Sequence, residues 1–149
     1  MRRVRRSISE VPANGPVFVD SGGWIAYFSR RDDHHDEAER MIRAAVERSL
    51  PLLTTNLVIA ETHRLLLFRA GVAAAARMLD VLERTPHLST RFATAADHTG
   101  ARRWIAGKEG RKITLTDAVS FAVMTEVKSR GFIGFDGDFD AAGFARFQV

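Results

Sequence analysis

The chain has 149 residues, 46% of them hydrophobic and 27% charged, with no cysteine and a formal net charge of +4 at pH 7. That length fits one domain with a sizeable core, and the missing cysteine excludes disulfides, cysteine-ligated zinc, iron–sulfur clusters and thiol nucleophiles. Arg2, Arg3, Arg5 and Arg6 hold most of the excess charge: beyond residue 16 the chain keeps 18 basic and 17 acidic residues, so the body carries only +1.

Residues 1–16 read as an Arg-rich tail, a mobile solvated arm or an extra phosphate contact, with Pro12, Asn14, Gly15 and Pro16 marking a loop at its end. No apolar run has signal-peptide or membrane-spanning length, so the expected location is the cytoplasm, with no membrane contact. The remaining residues, 17–149, read as one domain. Val17-Phe18-Val19 is a short apolar run ending at Asp20, expected to be a buried strand that breaks into a turn at Gly22 and Gly23. Trp24, Ile25, Tyr27 and Phe28 suggest a short helix. Ala38, Met41, Ile42, Ala45 and Val46 form one stripe of a helix over 34–49, with Asp32 or Asp33 as its cap.

Pro51 to Thr54 is a second strand. Asn56 is positioned to cap a helix over 57–69, which Gly71 ends. An alanine-rich helix over 72–84 stops at Pro86, and residues 87–90 form a third strand. A helix over 95–107 breaks at Gly107 and Gly110. Ile113 to Thr116 leads into a helix over 115–129, stopped by Gly131. Phe132 to Phe135 is a fourth strand ending at Asp136, and 144–149 is an edge strand. Strands alternating with helices imply right-handed crossovers and an α/β fold built on a parallel sheet of four to five strands.

In such sheets function gathers outside the carboxyl ends of the strands. Asp20 and Asp136 sit at such ends. Glu61 and Asp117 lie on helices that begin after strand-like runs. Each acid also has a bland reading. Asp20 and Asp136 could make turns, Glu61 could face solvent, and Asp117 could complete a cap with Thr114. Their convergence at one sheet edge changes the weighing, because four carboxylates together cannot all stay ionised without a compensating charge. No Lys or Arg stands beside each one in the sequence. Mg2+ or Mn2+, one ion or two, is the expected cofactor, and such an ion with open water positions suits phosphodiester hydrolysis by an activated water. Ser21 and Thr116 could hold a water or cap a helix. Arg64, Arg102, Arg103, Arg111 and Lys112 are candidate phosphate contacts, each also readable as ordinary surface charge.

Asp136-Gly137-Asp138 resembles the start of a calcium loop, but Ala141 and Phe147 stand where that loop needs Gly and Glu. Nucleotide-binding glycine motifs and a hydrolase nucleophile elbow are absent. His34 and His35 lack zinc-ligand company and read as a solvated cap region.

The segments VFVDSGGWIAYF, TTNLVIAETHRLL, ITLTDAVSFAVM and FIGFDGDFDAAGF occur in that order. Together they resemble the acidic segments of PIN-domain ribonucleases, most closely VapC-type toxins of type II toxin–antitoxin pairs. The resemblance implies a PIN-like three-layer sandwich and metal-dependent endoribonuclease activity. It assigns the catalytic, metal-binding acids to Asp20, Glu61, Asp117 and Asp136, with Phe139 as the aromatic of the last motif. Asp138 is an extra acid that could assist or compete, ranked below Asp136. The resemblance also implies an RNA substrate, a cognate antitoxin whose C-terminal segment blocks the site, and a homodimer. The alternatives are an RNA-processing PIN nuclease with no antitoxin and a non-catalytic PIN-like module that binds RNA or protein.

Overall fold

The computed structural model describes residues 14–107 and 110–149, so Arg2, Arg3, Arg5 and Arg6 lie outside the described residues. Four parallel strands form one sheet in the order β3-β2-β1-β4: β1 (Val17–Val19), β2 (Leu52–Thr55), β3 (Leu88–Arg91) and β4 (Gly131–Ile133). Val17, Phe18 and Val19 pair with Gly131, Phe132 and Ile133 on one side, while Val17 and Phe18 pair with Leu52 and Leu53 on the other. All three β1 side chains are fully buried, as expected for a central parallel strand covered on both faces. The chain winds outward from β1 to β3 and then returns to place β4 on the other side of β1. Strand order therefore reverses between β1 and β4, and the crevice beyond their carboxyl ends is where such sheets bind ligands.

The helices are α1 (Ser21–Phe28), α2 (His35–Glu47), α3 (Asn56–Ala70), α4 (Val72–Arg84), α5 (Ala95–Ala106), α6 (Leu115–Glu126) and α7 (Gly137–Ala141). The stripe expected on α2 is the buried one at Ala38, Met41, Ile42 and Ala45. α3 packs on α4, α5 on α6, and α1 on both α2 and α3. The largest fully buried side chains include Trp24, Phe18, Phe121, Phe132 and Phe139. Phe139 meets Phe121 edge-on at 4.8 Å and Phe132 at 5.0 Å between ring centroids. Burying a Phe contributes on the order of 2–3 kcal/mol, so this one side chain anchors the five-residue α7 to the sheet.

Several local expectations are corrected. Gly22 and Gly23 lie inside α1, not in a turn. A Cβ on Gly23 would come within 2.4 Å of the Ile133 carbonyl oxygen, so the residue lets α1 start against β4. Thr55, not Asn56, caps α3 by accepting the Val58 N–H, while the Asn56 Oδ1 accepts the Ala93 N–H. His34 occupies the cap position of α2, and its N–H donates to Asp32 Oδ1. α6 ends at Glu126, and Gly131 opens β4 instead of terminating a helix. β4 ends at Ile133, two residues short of Phe135. The expected strand at 144–149 reduces to one parallel bridge, Phe132 with Arg146. Gly71 ends α3 as expected, at a φ of 96° that favours glycine.

Two polar anchors fix the frame. Asp97 is 4% exposed and bonded to Arg91, which also pairs with Glu126; it completes a capping box with Thr94. At the other end, Arg130 donates to the carbonyls of Gly15 and Asn14, and the Ser129 hydroxyl donates to Pro16.

The Gly23 contact yields a prediction. Gly23→Ala would ordinarily favour a helix by up to about 1 kcal/mol. Here the added methyl meets the carbonyl that accepts the Asp20 N–H at 3.0 Å. We expect a net loss of about 2–3 kcal/mol, read as a lower urea midpoint at unchanged slope.

Candidate active site

Asp20 leaves β1 at the sheet's switch point. Its backbone N–H donates to Ile133 on β4, and its carbonyl accepts the Trp24 N–H at 3.1 Å, so both neighbours fix its position. Behind it, the Thr54 hydroxyl donates to the Val19 carbonyl and accepts from the Trp24 indole, which ties β2, β1 and α1 together. If Asp20 were turn chemistry, its side chain would accept an N–H from the first turn of α1. It makes no such capping bond. It is 2% exposed, and its Oδ1 is buried without a hydrogen-bond partner.

Glu61 lies in the second turn of α3. Its side chain is half-buried, yet its Oε2 is also buried without a partner. Asp117 is 7% exposed in the first turn of α6, held there by its N–H bond to the Thr114 hydroxyl at 3.1 Å. This is half of the expected cap, and it leaves the carboxylate directed by a fixed helix start. Asp136 caps α7 through a 2.9 Å bond from the Asp138 N–H to its Oδ1. It does not directly end β4. Phe139 holds this short helix in place, which explains the aromatic three residues after Asp136. Asp117, Asp136 and Asp138 each bring a carboxylate oxygen within 4.8 Å of the others.

Electrostatics tie the set together. Burial, then the negative charge of Asp117, with further contributions from Glu61 and Asp136, pushes the Asp20 carboxyl up to about 8. The nearby Ser21 backbone N–H opposes this only in part. Burial, followed by the charge of Asp136, raises Asp117 to about 6, with Glu61 and Asp138 adding to the rise and Thr114 opposing it. Thus Glu61 and Asp136 act on both Asp20 and Asp117, and Asp138 acts on Asp117. Among the described residues, Arg111 is the only Lys or Arg within ion-pair distance of any of them, at 3.7 Å from Asp138.

A buried carboxylate oxygen without a partner is costly. Two such oxygens beside three further carboxylates match the donor set of a hard divalent cation. The residues therefore fit a hard divalent cation on the chemistry of their donors.

The other candidates fall unevenly. Ser21 is buried beside Asp20, and Thr116 is half-buried beside Asp117. Arg64 is exposed one turn beyond Glu61 on α3. Arg102 and Arg103 are exposed on α5, and Lys112 is exposed next to Arg111; none of these four forms an ion pair with the cluster among the described residues. His35 is not simply solvated, because its Nδ1 lies 2.7 Å from the Ala26 carbonyl oxygen. The sequence reading missed one contact entirely: the His34 ring stacks on Phe135, the residue before Asp136, at 4.1 Å and 5°. The two are 101 positions apart in a chain read one segment at a time, and no local pattern links them.

A model of the PIN domain matches residues 17–145. The 23S rRNA-specific endonuclease VapC20 of Mycobacterium tuberculosis, in strains CDC 1551 and H37Rv, is 36% identical over 132 residues, 86% of this chain and 95% of the relative. The crystal structure of M. tuberculosis VapC20, described as a sarcin–ricin loop cleaving toxin, superposes with a TM-score of 0.76 at 32% identity, covering 87% of this chain and 96% of that one. Among the described residues no helix is long and apolar enough to cross a membrane. With its parallel sheet, its acids at the switch point and these matches over nearly its whole described length, the chain belongs to the PIN-domain family and is of the VapC type.

Proposed function

We propose that this protein is a divalent-cation-dependent endoribonuclease, the toxin of a toxin–antitoxin pair, acting in the cytoplasm through residues 17–149. One observation carries the reading: Asp20 Oδ1 is buried without a hydrogen-bond partner, yet it lies near Glu61, Asp117 and Asp136 at the switch point of the sheet. A module that only bound RNA would have no use for carboxylates gathered where phosphates must approach. The similarity to VapC20, a 23S rRNA-specific endonuclease, supports a ribosomal RNA stem-loop as the substrate class. An antitoxin partner and a homodimer follow from the resemblance to VapC-type toxins.

Asp20, Glu61, Asp117 and Asp136 hold one or two ions, with Asp138 assisting. A divalent cation held by these residues would offset the clustered charge and would supply Lewis-acid activation of a water and charge stabilisation at the leaving oxygen. Asp20 and Asp117 accept no proton from substrate in this scheme; once the cation is present both stay ionised. Arg111 is free to exchange its contact with Asp138 for a phosphate oxygen, which places a positive charge at the cluster's outer edge. Ser21 and Thr116 flank two of the acids and are placed to orient water.

Incubating the protein with a labelled 23S rRNA sarcin–ricin hairpin tests the reading. Cleavage is expected with Mg2+ or Mn2+, not in EDTA, and Asp117→Asn should lower it at least about a hundredfold. Cleavage that persists in chelator, or in the variant at the parent rate, would overturn the cation–carboxylate mechanism.

A further inference from the structure

We propose that the stacked pair His34–Phe135 is a platform on which a base of the RNA substrate stacks, next to the cleaved bond. The proposal rests on the ribonuclease reading above and adds a positioning residue to it. Phe135 lies between β4 and α7, directly before Asp136, and its backbone nitrogen is 3.6 Å from where a Cβ on Gly22 would sit. Its backbone therefore passes close to the start of α1, one residue before the acidic site's Asp136, and its half-buried ring meets His34. His34 sits at the start of α2 and lies nearly parallel on that ring, 4.1 Å away at 5°. One imidazole face is covered, and the side chain as a whole is 51% exposed. About half of the side chain is thus open to a further flat ring.

Sequence-specific contacts to RNA loops commonly splay a base out and stack it on an aromatic or histidine side chain. The charge around the platform favours a base over the sugar–phosphate chain. Glu37 Oε2 lies 3.7 Å from His34 Nδ1, and Asp32 Oδ1 accepts the His34 backbone N–H. These carboxylates repel phosphates but accept hydrogen bonds from an exocyclic amino group. The backbone thus runs over the acidic cluster, where a cation screens it, while a base bearing an amino group turns aside onto His34. A solvated helix cap would need no partner ring, and a purely structural clamp would not need half its surface open.

The test uses a sarcin–ricin hairpin carrying 2-aminopurine at each loop purine in turn. With Mn2+ present and fluorescence read by stopped flow before cleavage, wild-type protein should quench one position. His34→Ala should abolish that quenching and weaken affinity about tenfold, and His34→Trp should restore both. With Mn2+ present, the His34→Ala defect should fall on KM, with kcat and melting temperature close to the parent's. Quenching at no loop position, or an equal signal in His34→Ala, would overturn the proposal. So would a defect confined to kcat and thermal stability, which marks a structural clamp, or a loss of antitoxin binding with RNA affinity intact. Quenching without any cleavage would instead overturn the ribonuclease reading and leave the platform standing.

Discussion

Asp20→Asn is expected to make the cation-free protein more stable while abolishing RNA cleavage. The side chain is isosteric, so the packing around β1 and α1 stays the same. What changes is charge. At neutral pH the folded protein must either bury an ionised Asp20 among other acids or hold it protonated, with its carboxyl raised to about 8. The unfolded chain has neither burden. Removing it should add about 2 kcal/mol or more near pH 7 in EDTA, read from urea denaturation. The same change removes a central oxygen donor from the cation site, and cleavage should fall by at least about a thousandfold. A destabilised variant would show that Asp20 is a structural residue after all. A stable and active one would show that the cation is held without it.

The second large effect is pH dependence. Asp20 and Asp117 both have folded-state values above the ordinary 3.8, at about 8 and about 6. In the range between the ordinary and the raised value, the folded state keeps a proton that the unfolded state has lost. Stability of the cation-free protein therefore falls as pH rises, through both groups from about 4 to 6 and through Asp20 alone from 6 to 8. Each group contributes at most about 1.4 kcal/mol per pH unit within its window. Asp97 works in the opposite direction, because its bond to Arg91 holds it below the ordinary value, but its effect falls at pH below 3.8. Denaturation in EDTA should thus show midpoints decreasing from pH 5.5 to 8. Saturating Mn2+, which binds the ionised form of the folded state, should raise the midpoint most at pH 8 and flatten the slope. A midpoint that rises with pH in EDTA would contradict the raised values.

Much of this was legible in the sequence because the signals are local. Val17 to Val19 reads as a strand since all three side chains are apolar, and a central strand buries all three. The α2 stripe repeats at helical spacing. The acids could be placed because three of them follow strand-like runs or open helices, and sheet topology then gathers them. Other features depend on contacts that no local pattern encodes. Gly22 and Gly23 look like a turn, yet the fold needs the missing Cβ at Gly23 to bring α1 against Ile133. Asp136 looks like the end of a strand, but sheet pairing stops at Ile133 and the carboxylate caps α7 instead. Residues 144–149 have the composition of a strand and pair only around Arg146. The buried Arg91–Asp97 pair and the His34–Phe135 stack form between segments brought together by the fold alone.

The pairing of β1 with β4 bears on when the acidic cluster is completed during synthesis. Val17 finds its neighbour at Gly131, and Asp20 meets Asp136 only after that pairing is made. A chain emerging from the ribosome has Asp20 and Glu61 exposed long before Asp136, Asp138 and the anchoring Phe139 exist. Such distant contacts form late, after the chain closes a long loop. On the ribonuclease reading proposed above, the nascent chain therefore lacks a complete acidic cluster until Asp136 and Asp138 have been made and β4 has paired with β1.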